Sequence, residues 1–164
     1  MRTVVLQVER CEAVLLVGYR PGTGEPTQSV MARASTSFQP PGKAKPSDAL
    51  RDVLAVDAMA PLALTVDGKP LVRASVRAKV GIEPGSARPM VVLLVTYALP
   101  AGGGQLALAS KDPQFTRISW QDEASGRLGD DAPEQDRWYD GVASFLLTLR
   151  APGGSACVSS QSSR

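Results

Sequence analysis

The sequence predicts a mainly β protein, an antiparallel β-sandwich with a short helical insertion at about residues 27–60. Three observations carry this. Short apolar or alternating runs recur along the chain, at a length that suits strands. Turn signals separate them at short spacing, as in sandwiches and barrels. One stretch, residues 48–59, has helical spacing instead.

The elements follow in order. Thr3 to Glu9 alternates, with Val4, Leu6 and Val8 on one side, and Glu12 to Tyr19 is a second apolar run. Only Arg10-Cys11 separates them, so the pair reads as a β-hairpin. Residues 20–46 break the pattern with Pro- and Gly-rich stretches, which are loop signals, around a short helix at Thr27 to Ala34. Ser47 reads as the N-cap of the next helix, residues 48–59, with Asp48 in its first turn. Leu50, Val53 and Leu54 form its apolar stripe, and Pro61 ends it. Leu62 to Val66 is a strand, and Asp67-Gly68-Lys69-Pro70 is its turn.

Leu71 to Ile82 alternates strictly. Val72, Ala74, Val76, Ala78 and Val80 face one way, and Arg73, Ser75, Arg77 and Lys79 the other. This predicts a half-buried strand with a basic wet face. Glu83-Pro-Gly-Ser86 turns into the most apolar run, Met90 to Leu99, bracketed by Pro89 and Pro100. Its Val, Thr and Tyr favour strand, and it falls short of the about 20 apolar residues a helix needs to cross a bilayer. Apolar side chains on both faces predict a central strand covered on both sides. Ala101-Gly-Gly-Gly104 turns into Gln105 to Ala109, then come Phe115 to Trp120 and a last strand from Trp138 to Leu149. With about eight strands, the sandwich is expected to be immunoglobulin-like. Residues 1–150 are expected to form one domain, and 151–164 a disordered tail rich in Ser and Gly.

Composition excludes more than it assigns. At 164 residues, 43% hydrophobic and 21% charged, the chain can bury a core without metals or disulfides. Histidine is absent, which removes Ser-His-Asp triads, Cys-His pairs and His-ligated zinc. A net charge of +2 does not by itself argue for nucleic acid or a membrane surface. The chain opens on a strand pattern without a leader, so the protein is expected to be cytoplasmic, or extracytoplasmic with a leader removed. Cys11 and Cys157 are too far apart in sequence for a metal knuckle. They read first as two free thiols, one of them in the tail, because tail residues seldom hold a fixed geometry. The alternative is a disulfide tying the tail to the first hairpin in an oxidising compartment.

Four groups of residues are candidates for chemistry. The acidic stretch from Asp122 to Asp140 reads first as a solvated loop. Its alternative is a site for Ca2+ or Mg2+ on Asp122, Asp130, Asp131 and Asp136, since such ions take several hard oxygen ligands. The spacing is not that of an EF-hand. Arg73, Arg77 and Lys79, with Arg88, make a basic row suited to phosphates, but no aromatics interleave to stack bases. Gly18 to Gly24 and Gly42-Lys43 lack the spacing of a P-loop and are turns. Trp120, Trp138 and Tyr139 read as core plugs before they read as a ligand shelf.

The opening hairpin, the helical insertion before Leu62-Ala-Leu-Thr-Val-Asp-Gly-Lys-Pro-Leu71 and the strand pair that follows carry a resemblance. From Val4 to Leu149 the element order is similar to bacterial extracytoplasmic immunoglobulin-like β-sandwich domains. Those domains precede membrane transporters of the hydrogenase/urease-accessory type. The resemblance implies a stand-alone version at the periplasm or cell surface, and it carries over no functional residue. The function expected is a non-catalytic binding or assembly module, working through sandwich edges or loops on a protein partner or a second copy. The alternative is a divalent-cation-dependent enzyme or sensor built on the acidic loop.

Overall fold

In the first hairpin every second residue is apolar, and the pleat sends that set to one face. β1 (Arg2–Val8) and β2 (Glu12–Tyr19) pair antiparallel as the sequence predicts, with Val4, Leu6, Val8, Ala13, Leu15 and Val17 buried. The structure, a computed structural model, describes residues 1–21, 29–30, 32–34, 45–82, 85, 88–112, 116–122, 125–130, 137–139, 143–153 and 157. The loops expected on either side of the short helix fall mostly outside the described residues. Residues 29–30 and 32–34 of that helix are helical.

α1 spans Pro46–Met59. It starts two residues earlier than expected: Lys45, not Ser47, is the N-cap. Proline at the first helical position has no N–H to leave unpaired and a φ already suited to the helix. Asp48 then accepts the Lys45 backbone N–H at 3.2 Å. Leu50, Leu54 and Ala58 are buried at four-residue spacing, and α1 lies against β2, β5 (Arg73–Ile82) and β6 (Pro89–Ala98). The remaining strands are β3 (Leu62–Val66), β4 (Lys69–Pro70), β7 (Gly104–Ser110), β8 (Thr116–Gln121), β9 (Arg137–Tyr139) and β10 (Ala143–Leu149). Asp67 and Gly68 both have positive φ, 50° and 75°, which fits the two-residue turn between β3 and β4.

Two sheets result. One has six strands in the order β5-β6-β2-β1-β8-β9, the other four in the order β10-β7-β3-β4. Every described pairing is antiparallel except β1 with β8, which run parallel. The inward faces of both sheets and α1 share one apolar cluster. Trp120 of β8 packs on Phe145 of β10 with ring centroids 5.3 Å apart, joining the sheets.

Four expectations are corrected. β6 is not covered on both sides. Val91, Leu93, Val95 and Tyr97 are buried, but Val92 and Leu94 are 39% and 38% exposed, because the outer face of the six-stranded sheet carries no layer of described residues over them. Nor is β6 central, since it lies second from an edge. β5 is not half-buried: only Ala78 and Val80 are partly covered, because β5 is the edge itself. The expected strand from Trp138 to Leu149 is two strands in different sheets, β9 and β10. Lastly, Cys11 and Cys157 are joined as a disulfide, with their Cα atoms 5.4 Å apart. The tail holds that geometry because Arg10 Nη2 also binds it, donating to the Gly153 carbonyl at 2.9 Å. The other tail residues, 154–156 and 158–164, lie outside the described residues.

Candidate functional site

Of the described carboxylates in the acidic loop, one holds the loop together and the other pairs outward. Asp122 accepts from the Ser125 hydroxyl and, at 2.8 Å, from the Leu128 N–H. Asp130 forms an exposed ion pair with Arg150 at 2.7 Å. Asp131 and Asp136 lie outside the described residues. Among the described residues, no group of three or more His, Cys, Asp or Glu side chains is placed to hold a metal ion. Trp120 is a core residue, as expected, while the side chains of Trp138 and Tyr139 are not among those described. No described helix is long and apolar enough to cross a membrane.

Two buried arginines escaped sequence reasoning. Arg127 follows the loop held by Asp122. Its guanidinium donates to the carbonyls of Arg150 at 2.6 Å, Pro100 at 3.2 Å, Gly102 at 3.1 Å and also Arg10. Burial pushes its pKa below the ordinary arginine value, and Asp122 opposes that shift. Arg2 lies in β1. It pairs with Asp112 and donates to the Ala58 and Asp57 carbonyls at 2.8 and 2.9 Å, over the Tyr19 ring at 4.9 Å. Those carbonyls belong to the last turn of α1, which has no basic residue of its own. Arg2 therefore supplies the cation that a helix C-terminus favours. Burial pushes Arg2 down as well, opposed by Tyr19 and Asp57. Nothing in the sequence marks either residue, because the carbonyls they meet are distant in sequence.

What remains open is an edge. Among the described residues, β5 is the longest strand with nothing paired along one side. β4 has two residues and β9 three. β10 is met at its end by the 127–130 segment, through a Leu128–Leu149 bridge and a Gly129 N–H to Thr148 bond at 2.8 Å. β5 has ten residues and is exposed on both faces. Val76 is 51% exposed, Ile82 61%, and Val72, just before the strand, 76%. Arg73, Arg77 and Lys79 are exposed and form no ion pair with a described residue. At the start of β5 a cleft of about 580 Å³ is lined by Pro70, Leu71, Val72, Ala74 and Leu99, with Asp67 and Lys69 at its rim.

The register carries the edge onto the sheet's outer face. Arg77 stands beside Leu94, Leu94 beside Leu16, and Leu16 beside Val5; Lys79 stands beside Val92. The outer-face part of the expected basic row is therefore Arg77 and Lys79, which border an apolar band instead of an aromatic stacking surface, while a register shift after Arg73 sets that residue beside the buried Tyr97. No family model matches this chain and no curated protein matches it, so no relative's activity bears on the role of β5.

Proposed function

We propose that the protein is a non-catalytic binding or assembly module that takes up a protein partner by strand addition at β5. One observation carries this reading: a ten-residue edge strand with both faces exposed and no described strand beside it. An open strand edge presents unpaired N–H and C=O groups, which are a template for another chain. The lack of histidine supports the non-catalytic half. We read the frame as an immunoglobulin-like sandwich, supported by two mainly antiparallel sheets that share one core. The Cys11–Cys157 disulfide supports an extracytoplasmic location, since such bonds persist in oxidising compartments.

The test is cross-linking in the native extract, with Val76→Lys as the control. Val76 points inward at the edge but is half exposed, so the variant is expected to keep its melting temperature and lose its partner. A protein that stays monomeric, with no cross-link through β5, would remove the proposal.

A further inference from the structure

A strand laid against β5 inherits its pleat. Arg77 and Lys79 pair with Leu94 and Val92 and stand on the outer face. Val76, Ala78 and Val80 pair with Val95, Leu93 and Val91, whose side chains are buried, and stand on the inner face. Side chains of an added strand alternate in the same way, so one set lies beside two cations and the other beside three apolar residues. The strand holds three cations, Arg73 included, and no anion.

The same charges oppose a second copy. A two-fold related β5 that keeps the outer face continuous and is centred on these cations places Arg77 opposite Arg77, Arg77 opposite Lys79, or Lys79 opposite Lys79. Like charges directly opposite one another destabilise a strand pair. In those registers the charges disfavour a second copy and favour a strand of the opposite sign.

Building on the strand-addition reading, we infer that β5 receives an acidic amphipathic segment, in which Asp or Glu alternates with apolar residues along an extended strand. The acidic residues meet Arg77 and Lys79 outside. The apolar ones extend the inner layer over Val76 and Val80. The cleft beside Val72 and Ala74 offers an apolar seat at the Arg73 end.

The experiment compares three short labelled peptides, alternating Val with Glu, Val with Lys and Val with Thr, by fluorescence anisotropy on the full chain. The Val-Glu peptide is expected to bind about tenfold tighter than the Val-Lys peptide. Added salt should narrow that gap. In the double variant Arg77→Glu/Lys79→Glu the preference should reverse. Both side chains are exposed, so that variant is expected to fold. Equal binding of all three peptides, abolished by Val76→Lys, would overturn the acidic specificity and leave strand addition standing. Binding of none of them, with native cross-links away from β5, would overturn both. Phosphatidylserine vesicles that bind through Arg77 and Lys79 and are not displaced by the Val-Glu peptide would assign these cations to a membrane surface and overturn the inference.

Discussion

Arg127 donates to four carbonyls from three connections: the β1–β2 turn, the β6–β7 turn and the residue after β10. One fully buried side chain thus satisfies backbone groups that would otherwise be stranded. Replacing it with methionine keeps the bulk and removes every donor. Arg127→Met is expected to lower unfolding stability by about 3–5 kcal/mol, measured by urea titration. Arg127→Lys should recover little, because one ammonium cannot span the positions that a planar fork reaches. A shift under about 1 kcal/mol for Arg127→Met would show the carbonyls finding other partners. Asp122 acts one step behind, shaping the loop that delivers Arg127. In the sequence the acidic residues of this loop read first as a solvated loop and alternatively as metal ligands. Their described members serve the backbone and an exposed ion pair.

At the scale of the element, β6 shows what periodicity can and cannot reveal. Its apolar residues made the strand legible, but both faces being apolar made the wrong inference about cover. Leu93 faces the core and Leu94 the outside, so adjacent leucines should differ sharply. Leu93→Ala is expected to cost about 2–5 kcal/mol and Leu94→Ala under about 1 kcal/mol, by thermal or urea unfolding. Equal losses would mean that another layer covers the outer face in solution. The first hairpin, β3, β7 and the body of α1 were legible because each has one clean pattern and a nearby turn signal. The N-cap was misplaced because Ser47 is the better capping residue, while Pro46 decides the helix start through its fixed φ. The alternation of β5 is real and by itself predicts a half-buried strand. Its place at the edge depends on sheet order, which no local pattern encodes. The same limit hid the division of Trp138 to Leu149 between two sheets.

Across the whole molecule, the disulfide encloses nearly everything, its two cysteines lying at a sequence separation of 146. A closure of that span restricts the unfolded chain strongly. Reduction, or Cys11→Ser with Cys157→Ser, is expected to lower stability by about 2–5 kcal/mol, read from denaturant curves with and without reductant. Unchanged curves, or two titratable thiols in the unreduced denatured protein, would contradict the bond. The parallel pairing of β1 with β8 has a different reach. Arg2 meets Thr116, so β1 takes its second neighbour from a strand much later in the sequence. During synthesis β1 and β2 can form their hairpin early, but β1 keeps one bare side until residues 116–121 have left the ribosome. Over that interval the nascent chain carries an open edge on the strand that bears the apolar row Val4, Leu6 and Val8. The order in which the polypeptide is made therefore sets a window of exposure to mispairing that the finished fold no longer shows.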